Sequence, residues 1–283
     1  MDTSVLLPFK IPMKTNRYFP DINRISVLTA TVLLAFALTR LLATTAYLVG
    51  FQIFGRNIRF DVDLRIIIIL LASGLTATGM DWLLKSHPLI HKKKRTLDHW
   101  LVPMLTALVL GMPLYLLRTD ALWWGGFGIG ALLLVLVFWA EYVVVSPGDM
   151  NYPIAMVALT VLSFALYLIL ALALRYGGAR LFFLAPALFI ATFLVSVRTL
   201  HLRLGGRWEI AWAIGIALVG VQLAAGLHYL PITPIYYGML LLGVLYGLTS
   251  FVASLLEGIP LRTAATEPAI MLALLLALGV WLN

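Results

Sequence analysis

Residues 154–174 read IAMVALTVLSFALYLILALAL, an apolar run of 21 residues without a charged side chain. An α-helix rises about 1.5 Å per residue, so a run of this length crosses the roughly 30 Å hydrocarbon core of a bilayer. Lipid offers no hydrogen-bond partner to a free backbone amide, and a helix satisfies its own amides internally. The stretch therefore predicts a transmembrane α-helix.

Similar runs recur along the chain and are separated by short connectors with turn-forming residues. Spans are predicted at about 25–49, 65–85, 100–117, 122–145, 154–174, 181–200, 208–230, 234–256 and 268–282. We see no strand-like alternation of the outer-membrane-barrel type. The pattern predicts an all-α polytopic transmembrane bundle of about nine helices, with an N-terminal tail over residues 1–24 and one transmembrane domain over residues 25–283.

Composition excludes several classes of protein. Only 11% of the residues are charged and mean hydropathy is +1.01, whereas soluble domains carry roughly 25% charged residues. The net charge of +8 is spread over short loops, which favours anionic lipid headgroups as partners and not nucleic acid. There is no cysteine, so disulfides, thiolate catalysis and Cys-ligated metal sites are excluded.

The distribution of Lys and Arg predicts the orientation. With a cytoplasmic N-terminus and nine spans, thirteen basic residues fall on the inner side and six on the outer side, as the positive-inside rule requires. The chain is then a multi-pass cell-membrane protein whose C-terminus lies outside. The first apolar run is too long for a signal-peptide core, so a retained span is expected.

Two of the predicted spans share a pattern that suggests an internal repeat. Gly126-xxx-Gly130 is followed by Glu141 near the inner end of its span, and Gly243-xxx-Gly247 is followed by Glu257. The pattern suggests two parallel four-helix repeats plus a ninth helix, as in some transporters. The alternative is that small-residue packing motifs are common in any membrane protein.

Arg40 stands out because it lies some fifteen residues into the predicted first span. A charged side chain at the bilayer centre costs roughly 3 kcal/mol unless it is paired or hydrated. On a helix, Thr29, Arg40, Thr44 and Tyr47 share one face, which should point inward. We interpret Arg40 either as an anion-binding or gating residue in a cavity, or as a side chain held by a neighbouring acid or by helix carbonyls.

Several charged residues map to the inner ends of their spans and could line a polar vestibule beneath Arg40. The alternative is a ring of interfacial side chains that never meet. The predicted binding residues are Arg40, Thr44, Tyr47, Asp81, Glu141, Arg198 and Glu257. We predict no catalytic residue, no metal site and no cofactor.

The second connector contains both a histidine group and a basic run. His87, His91, Asp98 and His99 could in principle hold a metal, but the cations between them would repel it. Contact of Lys92, Lys93, Lys94 and Arg95 with anionic lipid headgroups is the favoured interpretation.

Two main classes of function remain open, beside a scaffold whose charges only fix its topology. The favoured one is a small permease or an accessory subunit of a membrane complex. Such a protein could form a homo-oligomer or bind another subunit of the complex. A carrier should enclose a polar cavity around Arg40. The alternative is an enzyme acting on a lipid or polyprenyl substrate at the cytoplasmic interface, with Asp81, Glu141 or Glu257 as acid or base. An enzyme should place carboxylates near headgroup depth.

Overall fold

The fold is a bundle of transmembrane helices with one small β-hairpin. The computed structural model describes residues 19–41, 47–53, 56–62, 64–90, 97–117 and 120–281. The elements in chain order are α1 Ile22–Leu41, β1 Tyr47–Ile53, β2 Arg56–Val62, α2 Leu64–Leu84, a 3₁₀ turn Leu97–His99, α3 Leu101–Leu116, α4 Asp120–Val144, α5 Tyr152–Tyr176, α6 Leu181–Arg203, α7 Ile210–His228, α8 Pro234–Leu256 and α9 Leu261–Trp281.

Within these residues, eight of the nine α-helices are long and apolar enough to cross a membrane, and α3 is the shorter one. The predicted polytopic helical bundle is confirmed. Each helix packs against the next along the chain. We call the end that carries the amino termini of α1, α3, α5, α7 and α9 the polar end, and the opposite end, which carries the β-hairpin, the hairpin end.

The predicted first span of 25–49 is wrong at its C-terminal side. Helix α1 ends at Leu41, and β1 and β2 then form an antiparallel hairpin that pairs Tyr47 with Val62 and Ile53 with Arg56. The sequence carried the signal, since Ile58, Phe60 and Val62 alternate with polar residues at the two-residue period of a strand. The apolar run from 25 to 49 continues past the end of α1 into β1, so hydropathy alone did not separate the helix from the strand.

The core of the bundle has two parts that share α3 and α4. One cluster of buried side chains comes from α1 to α4, and the other comes from α3 to α8. Helix α9 makes its extensive contacts with α8. The shared helices α3 and α4 join the two parts into one bundle.

The two Gly-xxx-Gly motifs on which the predicted repeat was based do not lie in equivalent positions of the bundle. Gly126 and Gly130 face leucines of the preceding helix α3 and of its C-terminal cap, whereas Gly243 and Gly247 face α9, the following helix. A Cβ at Gly243 would lie 2.9 Å from Leu272 Cδ1. Both motifs admit a close neighbour, as small residues do in membranes, but they admit different ones. The repeat itself stays a prediction.

Candidate functional site

The short helix α3 brings two polar residues into the bundle. Its 16 residues span only about 24 Å, less than a bilayer core, so the preceding turn lies within the depth that the longer helices cover. Asp98 and His99 in this turn are 4% and 1% exposed. A segment that hydropathy assigns to a surface loop is thereby placed in the interior at the polar end.

Glu141 is the centre of a buried ionic cluster. It lies on α4 one turn from the helix end and is fully buried. His99 Nδ1–H donates a 2.7 Å hydrogen bond to Glu141 Oε2, and Arg198 Nη2 of α6 donates to the same oxygen. Removing one partner of such a buried pair would leave an uncompensated charge, so the three side chains hold one another in place.

Asp98 extends the cluster to a second histidine. Its Oδ2 lies 3.5 Å from His99 Nε2 and 3.4 Å from His201 Nε2. For His201, the carboxylate beside Nε2 favours the proton on that nitrogen and leaves Nδ1 of this imidazole as an acceptor. The buried ionic cluster therefore consists of Asp98, His99, Glu141, Arg198 and His201.

The electrostatics of the cluster favour a neutral His99. Burial lowers the pKa of His99, and the positive charge of Arg198 adds to this effect, against the opposing influence of Glu141 and Asp98. The imidazole of His99 then donates from Nδ1 to Glu141 without adding a positive charge to the Arg198–Glu141 pair.

A glycine turn after α6 places an aromatic ring over His201. Gly205 and Gly206 have φ values of 63° and 93°, which glycine adopts without a Cβ clash. Gly206 N–H donates to the His201 carbonyl at 2.8 Å, the form of a Schellman helix end. Trp208 then packs against His201 with ring centres 4.5 Å apart and ring planes tilted by 39°.

The cluster borders a large cavity at the polar end. We call it the main pocket; its volume is about 790 Å³, in the range of small-molecule sites. Four of the five cluster residues line it, together with residues of α4, α5 and the segment joining α6 to α7. Its lining is Asp98, His99, Val144, Val145, Pro147, Tyr152, Arg198, His201, Leu202, Gly205, Gly206, Trp208 and Ile210.

Three buried polar atoms of the cluster have no hydrogen-bond partner among the described residues. They are Glu141 Oε1, Arg198 Nε and His201 Nδ1. Buried polar atoms are nearly always paired with protein or water. Arg198 and His201 line the main pocket, whereas Glu141 does not. One donor and one imidazole nitrogen thus remain available beside the cavity, which is the arrangement of a site that takes a polar ligand or ordered water.

The predicted site residues separate into several groups. Glu141 and Arg198 meet, as the vestibule hypothesis required. Glu257 caps α8 and pairs instead with Arg203 at 2.8 Å, while Asp81 forms its expected local pair with Lys85 at 3.3 Å, without lining the main pocket. These geometries leave the binding roles of the residues as predictions.

Arg40 does not occupy the central position that was expected. It is in the last turn of α1, is exposed, and its guanidinium carbon lies 5.5 Å from the centre of the Trp123 ring. Trp123 and Glu141 are on the same helix, 18 residues apart, which is about 27 Å. Arg40 therefore lies at the hairpin end, and the premise of a deep Arg40 above the acids is wrong.

Other predicted residues lie outside this cluster or outside the described residues. Tyr47 is the first residue of β1 and not part of α1, because the helix ends before it. Thr44 and the basic run 92–95 fall outside the described residues. Within the described residues, no group of three or more His, Asp or Glu is placed to hold a metal ion.

The sequence reasoning missed Asp98, His99 and His201 as one site. A usable signal was the brevity of the third span, because a 16-residue helix leaves about 6 Å of bilayer to be crossed by the residues beside it. His201 carried no comparable signal. Its position follows from the packing of α6 against the turn before α3.

The family model described as "Protein of unknown function (DUF5656)" matches residues 43–282. The chain belongs to this family. No curated protein and no solved structure matches the chain. The DUF5656 match includes all five residues of the buried ionic cluster and begins after Arg40.

Proposed function

We propose that this integral membrane protein is an enzyme that acts on a lipid or polyprenyl substrate in the main pocket. The observation that carries the proposal is the pair of unsatisfied atoms, Arg198 Nε and His201 Nδ1, on residues that line a cavity of about 790 Å³. The guanidinium would hold a polar headgroup, and the imidazole would exchange a proton with it.

The Asp98–His201 pair has the form that acid–base chemistry requires. Asp98 beside Nε2 fixes the imidazole tautomer and orientation, and the free Nδ1 can take a proton from a substrate hydroxyl or return it. Glu141 neutralises Arg198 and positions it. Asp98 and Glu141, the carboxylates of the site, thus support the two groups that would touch substrate.

The depth of the cluster supports a lipid-linked substrate. Glu141 lies three residues before the end of α4 and Arg198 five before the end of α6, which is about 5–8 Å inside the helix ends. That is near headgroup depth. Val144, Val145 and Leu202 supply the apolar part of the lining, suited to the first carbons of an acyl or prenyl chain.

The test is lipid turnover by the reconstituted protein. Vesicles of phosphatidylethanolamine and phosphatidylglycerol with a polyprenyl phosphate would be incubated with the wild type and with His201→Gln, and lipids would be followed by mass spectrometry. We expect a headgroup-altered product whose rate falls about 100-fold in the variant. His228→Gln, at the hairpin end, is the matched control and should retain turnover; identical lipid profiles with wild type and His201→Gln would contradict the proposal.

A proton-linked permease is the second candidate, favoured by buried hydroxyls deeper along α6. Ser196 is fully buried, and Thr192 donates to Tyr167 of α5 at 3.3 Å. These groups extend the polar surface from Arg198 towards the middle of the bundle. A carrier would use them to pass a polar solute on from the main pocket.

Cysteine labelling separates the two candidates, since the chain has no native cysteine. Val145→Cys and Leu202→Cys line the main pocket, and Val219→Cys on the exposed face of α7 is the control. An enzyme predicts labelling of the pocket positions by an impermeant maleimide from one side of a vesicle. A carrier predicts labelling from both sides in turn, and labelling of Val219→Cys would invalidate the assay.

We also propose that the polar end faces the cytoplasm, because the predicted inner side carries thirteen basic residues against seven once Arg40 is counted at the hairpin end. The same labelling experiment in sealed inverted and right-side-out vesicles tests this orientation. Labelling of Val145→Cys only from the periplasmic or extracellular face would reverse it.

A further inference from the structure

A second cavity lies between α5, α6 and α8 and shares no lining residue with the main pocket. We call it the lateral groove; its volume is about 220 Å³. Phe164 and Tyr246 close its deep end with ring centres 5.5 Å apart. Arg203, the last residue of α6, lies at its rim on the polar end.

The lateral groove is open to lipid on its α5 side. Val157 and Val161 line it and are 57% and 62% exposed. Apolar side chains exposed on a transmembrane helix contact lipid tails. A chain from the surrounding bilayer can therefore enter this groove sideways, without crossing the headgroup layer.

The floor of the lateral groove carries a polar atom that nothing in the described chain satisfies. Thr199 lines the groove, is 8% exposed, and its Oγ1 has no hydrogen-bond partner among the described residues. A buried hydroxyl without a partner costs free energy. A ligand that donates or accepts a hydrogen bond at this point would remove that cost.

The charges around the groove select the ligand. Arg203 pairs with Glu257 at 2.8 Å and donates to Ser250 at 3.1 Å. Glu267 accepts a 2.7 Å hydrogen bond from Tyr246 and a 3.5 Å one from Ser250. The two carboxylates lie behind the groove-lining side chains that they contact, and the donors of the Arg203 guanidinium are mostly engaged. An added group with positive charge and N–H donors is therefore favoured over a bare anion.

We infer that the lateral groove binds a phospholipid with a primary ammonium headgroup, of the phosphatidylethanolamine type. The ammonium donates to the Thr199 hydroxyl and to the hydroxyls in front of Glu267. The headgroup phosphate lies beside Arg203 at the rim, and an acyl chain follows Val157 and Val161. This site is independent of the proposed enzyme or permease activity of the main pocket.

The experiment is lipid retention by the full chain, measured by native mass spectrometry after exchange into micelles with equal amounts of phosphatidylethanolamine, phosphatidylcholine and phosphatidylglycerol. We expect preferential retention of phosphatidylethanolamine, because choline has no N–H donor and glycerol has no positive charge. Glu267→Gln should lower its retention about 10-fold, which corresponds to about 1.4 kcal/mol. Glu209→Gln is the matched control, since Glu209 pairs with the exposed Arg207 outside the groove.

A second variant guards against a folding failure of Glu267→Gln. Thr199→Val keeps the shape of the side chain and removes the hydroxyl, and it should also lower the preference for phosphatidylethanolamine over phosphatidylcholine. Equal retention of the three lipids, or an unchanged preference in Thr199→Val, would overturn the inference. Displacement of the lipid by an equal concentration of free phosphoethanolamine would overturn the assignment to a lipid.

Discussion

Two arginines of helix α6, five residues apart, each pair with a glutamate that lies in or caps another helix. The two pairs have the same chemistry but differ in burial and in the site they contact. Arg198 and Glu141 have side chains that are 1% and 0% exposed, whereas Arg203 and Glu257 are each 33% exposed. Five residues turn a helix by about 140°, so the two arginines leave α6 on different sides. One enters the buried ionic cluster and the other reaches the lateral groove.

The difference shows how burial changes the consequences of the same contact. In the buried pair, each charge depends on the other, because no water can replace a lost partner. In the exposed pair, water and headgroups compete with the protein partner, so the net contribution to stability is small. A buried pair can therefore fix the geometry of a site, while an exposed pair can rearrange around a ligand.

Matched alanine substitutions should separate the two pairs most strongly. Glu141→Ala leaves Arg198 buried without its carboxylate and should lower the free energy of unfolding by about 3–5 kcal/mol. Glu257→Ala should lower it by about 0.2–1 kcal/mol. Unfolding of the purified variants in mild detergent, titrated with dodecyl sulfate, measures both values.

A double variant tests the cause of the larger loss. Replacing both charges, as in Glu141→Gln with Arg198→Met, removes the uncompensated charge and should recover much of the stability that Glu141→Ala loses. A double variant as unstable as Glu141→Ala would show that packing, and not the unpaired charge, accounts for the loss.

Lowering the pH should destabilise the protein through His99 and His87. Burial lowers the pKa of both histidines below the ordinary value of 6.5. The unfolded chain takes up these protons near pH 6.5 while the folded chain stays neutral, so the free energy of unfolding falls as the pH drops below that value. Thermal midpoints in one detergent at about pH 7.5 and about pH 5 should show a lower midpoint at acid pH.

The histidine variants isolate this effect from that of the carboxylates. His87→Asn keeps an acceptor for the Leu89 amide, which donates to His87 Nδ1 at 3.1 Å, and cannot titrate. The difference between the two midpoints should be smaller in His87→Asn with His99→Gln than in the wild type. An equal or larger difference in the double variant would contradict the assignment.

Features that depend on neighbouring residues could be predicted from the sequence, whereas contacts between distant residues could be predicted only in part. Nine apolar runs, each a local property, predicted the nine α-helices of the described residues and most of their bounds. The Glu141–Arg198 pair was partly predictable, because ionisable residues at the same end of adjacent spans are expected to seek partners. The sequence did not distinguish the exposed Arg203–Glu257 pair from the buried pair. Packing determines which face of α6 contacts α4 and which contacts α8, and the sequence does not show this.

The errors had a common physical cause. A hydropathy window treats Ile25 to Val49 as one span, yet helix α1 ends at Leu41 and Tyr47 already begins a β-strand. That change moved Arg40 from an inferred bilayer centre to a helix end beside Trp123. Asp98 and His99 show the converse error, because their polar segment was assigned to a surface loop and is in fact buried. The short helix α3 places it inside the bundle, where His99 bonds to Glu141, over forty positions away.

The smallest expected effect concerns Arg40, and it tests whether the hairpin end has any part in the site. Arg40→Gln removes a cation–π contact with Trp123 at 5.5 Å and, at an exposed position, should lower the free energy of unfolding by at most about 0.5–1 kcal/mol. About 27 Å of α4 separates this contact from Glu141, so lipid turnover and labelling of the main pocket should stay at wild-type values. Leu38→Gln, on an exposed residue of the same helix, is the control for a general perturbation of α1. If Arg40→Gln alone abolished turnover, the two ends of the bundle would have to be coupled, and the proposed catalytic site could no longer be confined to the polar end.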